Sequence, residues 1–163
     1  MFFENIFIST LSKSNINTVL FVGIGPYTYH YSKLFKKVNV DFYSLDIREE
    51  SMLWVYNKSK HKILDIRKIA SKDYNFKFDL IIFMGMIGYG INNEKDLSDS
   101  IKSIKKLLND KGSLLIGYES KFGIEVEEVL DGIKDIDLNN FLEFNKKTII
   151  QDDIYRFYFY KKY

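Results

Sequence analysis

The 163-residue sequence has no cysteine, one proline and only two histidines. Without cysteine there is no disulfide framework, no thiolate metal site and no cysteine nucleophile. His30 and His61 stand apart, with no His-x-x-x-His pair and no His/Asp cluster, so no metal centre is expected. Arginine is scarce as well: only Arg48, Arg67 and Arg156 among 24 cationic side chains, which 22 acids balance to a net charge of +2. Proteins that read phosphates and bases lean on the arginine fork and a basic surface, so nucleic acid is disfavoured as a partner. Long hydrophobic runs are missing too. The longest, Leu80–Met84 extended through Ile87, is far too short to span a bilayer, and Met1 to Leu11 carries Glu4 and no basic n-region. Neither a membrane span nor a signal peptide is expected, and a cytoplasmic location suits the composition.

What is present is an ordinary globular balance, 46% hydrophobic, 28% charged and 17% aromatic, with no repeat, linker or low-complexity segment to set a boundary. One domain over residues 1–163 is expected. Apolar runs at Thr18–Val22, Asp41–Leu45, Lys62–Leu64, Phe78–Met84 and Ser113–Tyr118 read as strands. The first, fourth and fifth are continuously apolar, as strands covered on both faces are. Leu97, Ile101, Ile104, Leu107 and Leu108 recur at helical spacing with Asn93 placed to cap, and Asn109 to Gly112 placed to stop the helix. Weaker helical patterns fill Thr28–Lys37, Glu49–Asn57 and Gly123–Lys134. The alternation predicts an α/β Rossmann-like three-layer sandwich around a seven-stranded, mostly parallel sheet. Lys146–Gln151 and Ile154–Lys161, separated by Asp152-Asp153, predict an antiparallel pair at its end, and the aromatics on both sides of the last run predict a strand buried on both faces.

The first strand runs into Gly23-Ile24-Gly25-Pro26, a turn that lets backbone approach a ligand or merely tightens a strand-to-helix connection. Asp46 ends the second strand, 21 residues after Gly25, where an acid accepts ribose hydroxyls. Asp65 ends the third strand and reads equally as a helix cap before Ile66-Arg67. Together these features favour a nucleoside pocket. A dinucleotide fingerprint wants a third glycine where Thr28 stands, and Pro26 removes an amide, so a pyrophosphate would lose both. S-adenosylmethionine, an adenosine without phosphates, loses less.

On these residues the chain resembles the class I S-adenosylmethionine-dependent methyltransferase family over nearly its whole length. VLFVGIGP (19–26) looks like its first motif, FYSLDI (42–47) and ILDI (63–66) its second- and third-strand acids. FDLIIFMGMIGYG (78–90), LLNDKGSLLIGYE (107–119) and TIIQDDIYRFYFYKK (148–162) resemble its fourth strand, fifth strand and antiparallel end. The resemblance implies S-adenosylmethionine as cofactor, with Gly23 and Gly25 against the methionine part, Asp46 on the ribose, Ile47 packed on the adenine and Asp65 on its amino group. It further implies that Pro26, Tyr27, Ile66, Met84 and Gly85 line the same site.

A methyl acceptor should sit over the strand ends that the cofactor leaves free, at Gly85 to Asn92 and Tyr118 to Ser120. Tyr89 and Glu119 are the candidates to wall the acceptor or remove its proton, and His30, in the first turn after the glycines, is a third. The expected partner is a small-molecule acceptor. The chain has little insertion from which to build a lid, so a second copy completing that wall, a homodimer, is also expected. Two other functions fit less of the sequence: a binding or regulatory subunit without catalysis, and a nicotinamide-dependent oxidoreductase.

Overall fold

The structure, a computed structural model, describes residues 3–122, 124–150 and 155–163. The chain opens with a helical segment that the sequence reading did not anticipate: a wide turn at Phe3–Phe7, α1 (Ile8–Thr10) and a tight turn at Leu11–Lys13. It forms because Phe3, Phe7, Ile8 and Leu11 fall on one side and are buried against the sheet. Then follow β1 (Thr18–Val22), α2 (Tyr31–Lys37), β2 (Asp41–Asp46), β3 (His61–Ile63), β4 (Phe78–Met84), α3 (Glu94–Leu107), β5 (Leu108–Glu119), α4 (Val126–Asp131), β6 (Ile136–Leu138), β7 (Lys147–Ile150) and β8 (Tyr155–Lys162).

The strands form one mixed sheet in the order β3-β2-β1-β4-β5-β8-β6, with β7 also on β8. β1 to β5 are parallel, and β8 runs antiparallel to β5, β6 and β7. A continuously apolar strand serves two layers because alternate side chains point to opposite faces. Leu20, Val22, Ile81, Phe83, Leu114 and Ile116 pack under α3 and α4, while Val19, Phe21, Leu80, Ile82 and Leu115 pack under α2 and the N-terminal segment. β8 obeys the same rule, with Tyr158 and Tyr160 on the first side and Phe157 and Phe159 on the second, so the strand is buried on both faces as its sequence predicts.

The described residues form eight strands where seven are predicted, because one edge strand is interrupted. β6 pairs with the C-terminal half of β8 and β7 with its N-terminal half. Between them the chain steps out so that Phe141 and Phe144 stack on Phe159 and meet Phe7, at ring centroid distances of 5.5 to 5.7 Å. The predicted turn at Asp152-Asp153 lies outside the described residues.

The loops hold other departures. α3 is capped as expected, the Asp96 N–H donating to Asn93 Oδ1 at 2.8 Å, but it passes straight into β5. The stop residues Asn109 to Gly112 become an irregularity inside that strand: Phe78 faces Leu108 and Leu80 faces Ser113. The Asn109 amide donates to Asp79 and fixes it there. The pattern over Glu49–Asn57 yields only a tight turn at Glu49–Leu53, since Ser51 is its one buried residue and Leu53 lies out in solvent, leaving no apolar face to hold a helix. Thr28–Lys37 shortens to α2 behind a turn at Pro26–Thr28, and Gly123–Lys134 shortens to α4, its first residue lying outside the described part. Among the described residues no helix is long and apolar enough to cross a membrane.

Candidate functional site

Strand order reverses between β1 and β4, and at such a switch point the loops leaving the C-terminal strand ends part and open a crevice. Register puts the relevant residues at one level. Val22 lies opposite Leu45 and Phe83, and Met84 opposite Gly117, so Gly23, Asp46, Gly85 and Tyr118 emerge together. They border a cavity of about 610 Å3, within the range of small-molecule and cofactor sites.

The glycine turn forms its first wall. Gly23 has φ +94°, and a Cβ there would stand 2.5 Å from the Met84 carbonyl oxygen, so this position needs glycine for both its backbone angle and its neighbour. Gly25 is extended, and its constraint is different: a Cβ would meet the Tyr27 ring at 2.8 Å. The same tyrosine's hydroxyl would meet a Cβ at Gly85 at 2.9 Å. The Tyr27 ring therefore spans from the turn to the loop after β4, and burial pushes its phenol pKa up, which keeps it a neutral hydroxyl. The amides of the turn are spent within the protein: Gly23 on the Leu45 carbonyl, Ile24 on the Asp46 carboxylate, Gly25 on the Thr28 hydroxyl. Pro26 has none.

Asp46 is 2% exposed and accepts four hydrogen bonds. Oδ1 takes the Arg48 N–H at 2.9 Å and its Nε at 3.0 Å, and Oδ2 takes the Ile24 N–H at 2.8 Å and Arg48 Nη2 at 3.0 Å. Burial alone would raise this carboxyl's pKa. The bonds from the Arg48 side chain, the Arg48 N–H and the Ile24 N–H outweigh burial and hold it below the ordinary carboxylate range. Asp65 repeats the arrangement, with Oδ1 accepting from the Arg67 N–H at 3.0 Å and Nε at 2.9 Å, and Oδ2 from Nη2 at 2.9 Å. The Arg67 guanidinium lowers its pKa in turn. Asp65 is thus both the cap of the turn Ile66–Lys68 and a residue of the cavity wall.

Of the residues singled out from sequence, Gly23, Gly25, Pro26, Tyr27, Asp46, Ile47 and Asp65 line this cavity. Ile66, Met84, Gly85, Tyr89 and Glu119 line it too. Ile47 is half exposed and Ile66 buried, and both border the cavity with apolar side chains. Tyr89 donates to Glu119 Oε1 at 3.2 Å, and Lys121 pairs with Oε2 at 2.5 Å. His30 is not brought to the cavity: its ring turns to Glu4, 3.3 Å away, and is half exposed. This removes it as a candidate base, because a base must reach the proton it takes.

Sequence reasoning missed Arg48 and Arg67, which also line the cavity. A signal was present: the tetrapeptide Leu-Asp-Ile-Arg occurs twice, at 45–48 and 64–67, and uses two of the three arginines. Each aspartate accepts from the backbone N–H two residues on, a turn that brings the arginine's guanidinium back to the same carboxylate. Among the described residues no group of three His, Asp or Glu side chains gathers as a metal site.

No protein-family model matches this sequence, and no curated protein matches it. Solved structures do. A TehB-like SAM-dependent methyltransferase from Corynebacterium glutamicum matches with a TM-score of 0.72 at 16% identity, over 96% of this chain and 86% of that one. The N-methyltransferase NodS from Bradyrhizobium japonicum, in complex with S-adenosyl-L-homocysteine, matches with a TM-score of 0.69 at 13% identity, over 96% and 84%. An S-adenosylmethionine-dependent methyltransferase from Clostridium acetobutylicum gives 0.69 at 12%, over 98% and 90%. The chain has the fold of the class I S-adenosylmethionine-dependent methyltransferases.

Proposed function

We propose that this protein binds S-adenosylmethionine and transfers its methyl group to a small-molecule acceptor. The observation that carries the reading is the convergence, on the methyltransferase fold, of the Gly23 turn, Asp46 and Asp65 on one cavity at the switch point. The residues present fit the cofactor. Asp46 and Asp65 are ionised acids of the cavity wall, suited to ribose hydroxyls and to the adenine amino group, and Ile47 and Ile66 offer apolar contact to the ring. The spent amides of the turn, and Pro26, which has none to offer, favour a ligand without phosphates over a dinucleotide.

When bound, the cofactor supplies a methyl group on a sulfonium sulfur, an electrophile that needs no further activation. The protein's work is then to exclude water and align the acceptor with the carbon–sulfur bond. Tyr27, Tyr89, Tyr118, Tyr155 and Phe157 give the free part of the cavity an aromatic wall, and Glu119 places a carboxylate at its rim. In this reading Tyr89 orients the acceptor and Glu119 receives a proton from it where the accepting atom carries one.

The test is methyl transfer from labelled S-adenosylmethionine to fractions of a metabolite extract. Tyr89→Phe and Glu119→Gln should lower turnover while leaving the dissociation constant of S-adenosylhomocysteine within about threefold, with a loss of roughly a hundredfold for a residue acting as base. Tight cofactor binding with no transfer to any fraction would refute catalysis and leave a cofactor-binding subunit.

A further inference from the structure

The two aspartate–arginine pairs look alike and differ in one respect. An ionised carboxylate offers about four acceptor positions. On Asp46 four bonds are made, two of them by the Arg48 guanidinium. On Asp65 three are made, and Oδ2 accepts a single bond, from Arg67 Nη2. A further hydroxyl or amino donor can therefore join Asp65 with Arg67 in place, but two ribose hydroxyls can join Asp46 only by taking the positions of the Arg48 guanidinium.

The surroundings of the two arginines differ as well. Arg67 is held from a second side: Asp96 on α3 lies 3.4 Å from its Nη1, and its carbonyl accepts from Ser103 at 3.3 Å. Arg48 is 48% exposed, with Glu50 3.6 Å from its Nη1 and the Trp54 ring centroid 5.1 Å from Cζ. A guanidinium leaving Asp46 thus has a second carboxylate and an aromatic face at hand. The backbone N–H groups of Ile24 and Arg48 would stay on the carboxylate and keep it oriented.

We propose that Arg48 determines ligand specificity by competing with the ribose for Asp46, so that only a ligand able to offer both ribose hydroxyls displaces it, whereas Arg67 remains on Asp65 and positions it for the adenine amino group. The departure of Arg48 also frees the Ile24 carbonyl in the glycine turn, which its Nη2 holds at 2.5 Å. The inference rests on the cofactor reading above and adds to it the residue that guards the ribose position.

The experiment uses neutral probes, adenosine and 2′,3′-dideoxyadenosine, so that the sulfonium charge plays no part. Calorimetric titrations compare the unmodified protein with Arg48→Met, which keeps an unbranched apolar side chain without the charge, and Arg67→Met. Arg48→Met should bind adenosine about tenfold more tightly, the worth of one charge-assisted hydrogen bond, with no gain for the dideoxy analogue. Arg67→Met should bind both more weakly. In the unmodified protein, adenosine affinity should rise about twofold or more as KCl is raised from about 0.05 to 0.5 M, since salt weakens the ion pair while the probe is uncharged. This readout stands even if Arg48→Met fails to fold. Weaker adenosine binding by Arg48→Met, an equal gain for the dideoxy analogue, or affinity that does not rise with salt would overturn the proposal. Failure of the unmodified protein and both variants to bind adenosine or S-adenosylhomocysteine would instead overturn the cofactor reading, and the role of Arg48 with it.

Discussion

Asp46 and Asp65 show how a residue's worth depends on what surrounds it. Both are ionised acids at the ends of adjacent strands, but Asp46 is buried and would meet two ribose hydroxyls, while Asp65 is more open and would meet one amino group that water can replace. Asp46→Ala should therefore weaken S-adenosylhomocysteine binding by about 1.5–3 kcal/mol, and Asp65→Ala by clearly less, as measured by calorimetry on variants with native circular dichroism. Equal, unchanged dissociation constants would show that neither acid serves the ligand. The two acids and the glycines were legible in sequence because each stands at the end of a β-type run. Which glycine answers to which constraint was not, since only the backbone shows that Gly23 has the positive φ and that Gly25 yields to Tyr27. Tyr89 and Glu119 were legible only as positions after a strand. Their hydrogen bond joins residues 30 apart in sequence.

Among the elements, strands were more legible than helices. β1 and β4 match their predicted bounds because a continuous apolar run covered on both faces has one way to be buried. The helix expected at Glu49–Asn57 is cut to a turn because it lacks an apolar face, and Ser51 there bonds back to the Arg48 carbonyl and across to His61. That histidine joins elements that the sequence gives no reason to connect. Ser51 Oγ donates to the Arg48 carbonyl at 2.6 Å, so at 2.8 Å it accepts from His61 Nε2–H, and Nδ1 then accepts from Ser44 Oγ at 2.9 Å. Burial lowers the His61 pKa, overcoming the pull of Asp46, and the ring is neutral in the folded chain. The unfolded chain protonates it at about pH 6.5, so stability is fully present above that pH and falls as the pH drops toward the lower folded value. Urea midpoints should fall as the pH drops below about 6.5, and His61→Gln should flatten that slope. An unchanged slope would mean that His61 is not held neutral.

At the scale of the whole molecule, topology makes the site. Parallel strands with helices on both faces leave a crevice where strand order reverses, and every strand from β1 to β5 delivers a residue to it or just past it. This much was legible, because strands alternating with helical patterns leave few other arrangements. The eighth strand and the N-terminal segment were not. They depend on Phe7, Phe141, Phe144 and Phe159 meeting across distances in sequence that no local pattern records. The same topology serves nucleotide and S-adenosylmethionine ligands alike, and in the proposed reading the chemistry of the turn separates them: its amides are spent, Pro26 offers none, and two ionised acids line the cavity. The most direct measurement is parallel calorimetric titration of the unmodified protein with S-adenosylmethionine, S-adenosylhomocysteine and NAD. The account predicts saturable binding of the first two and none of NAD; binding of NAD with no response to either of the others would contradict it.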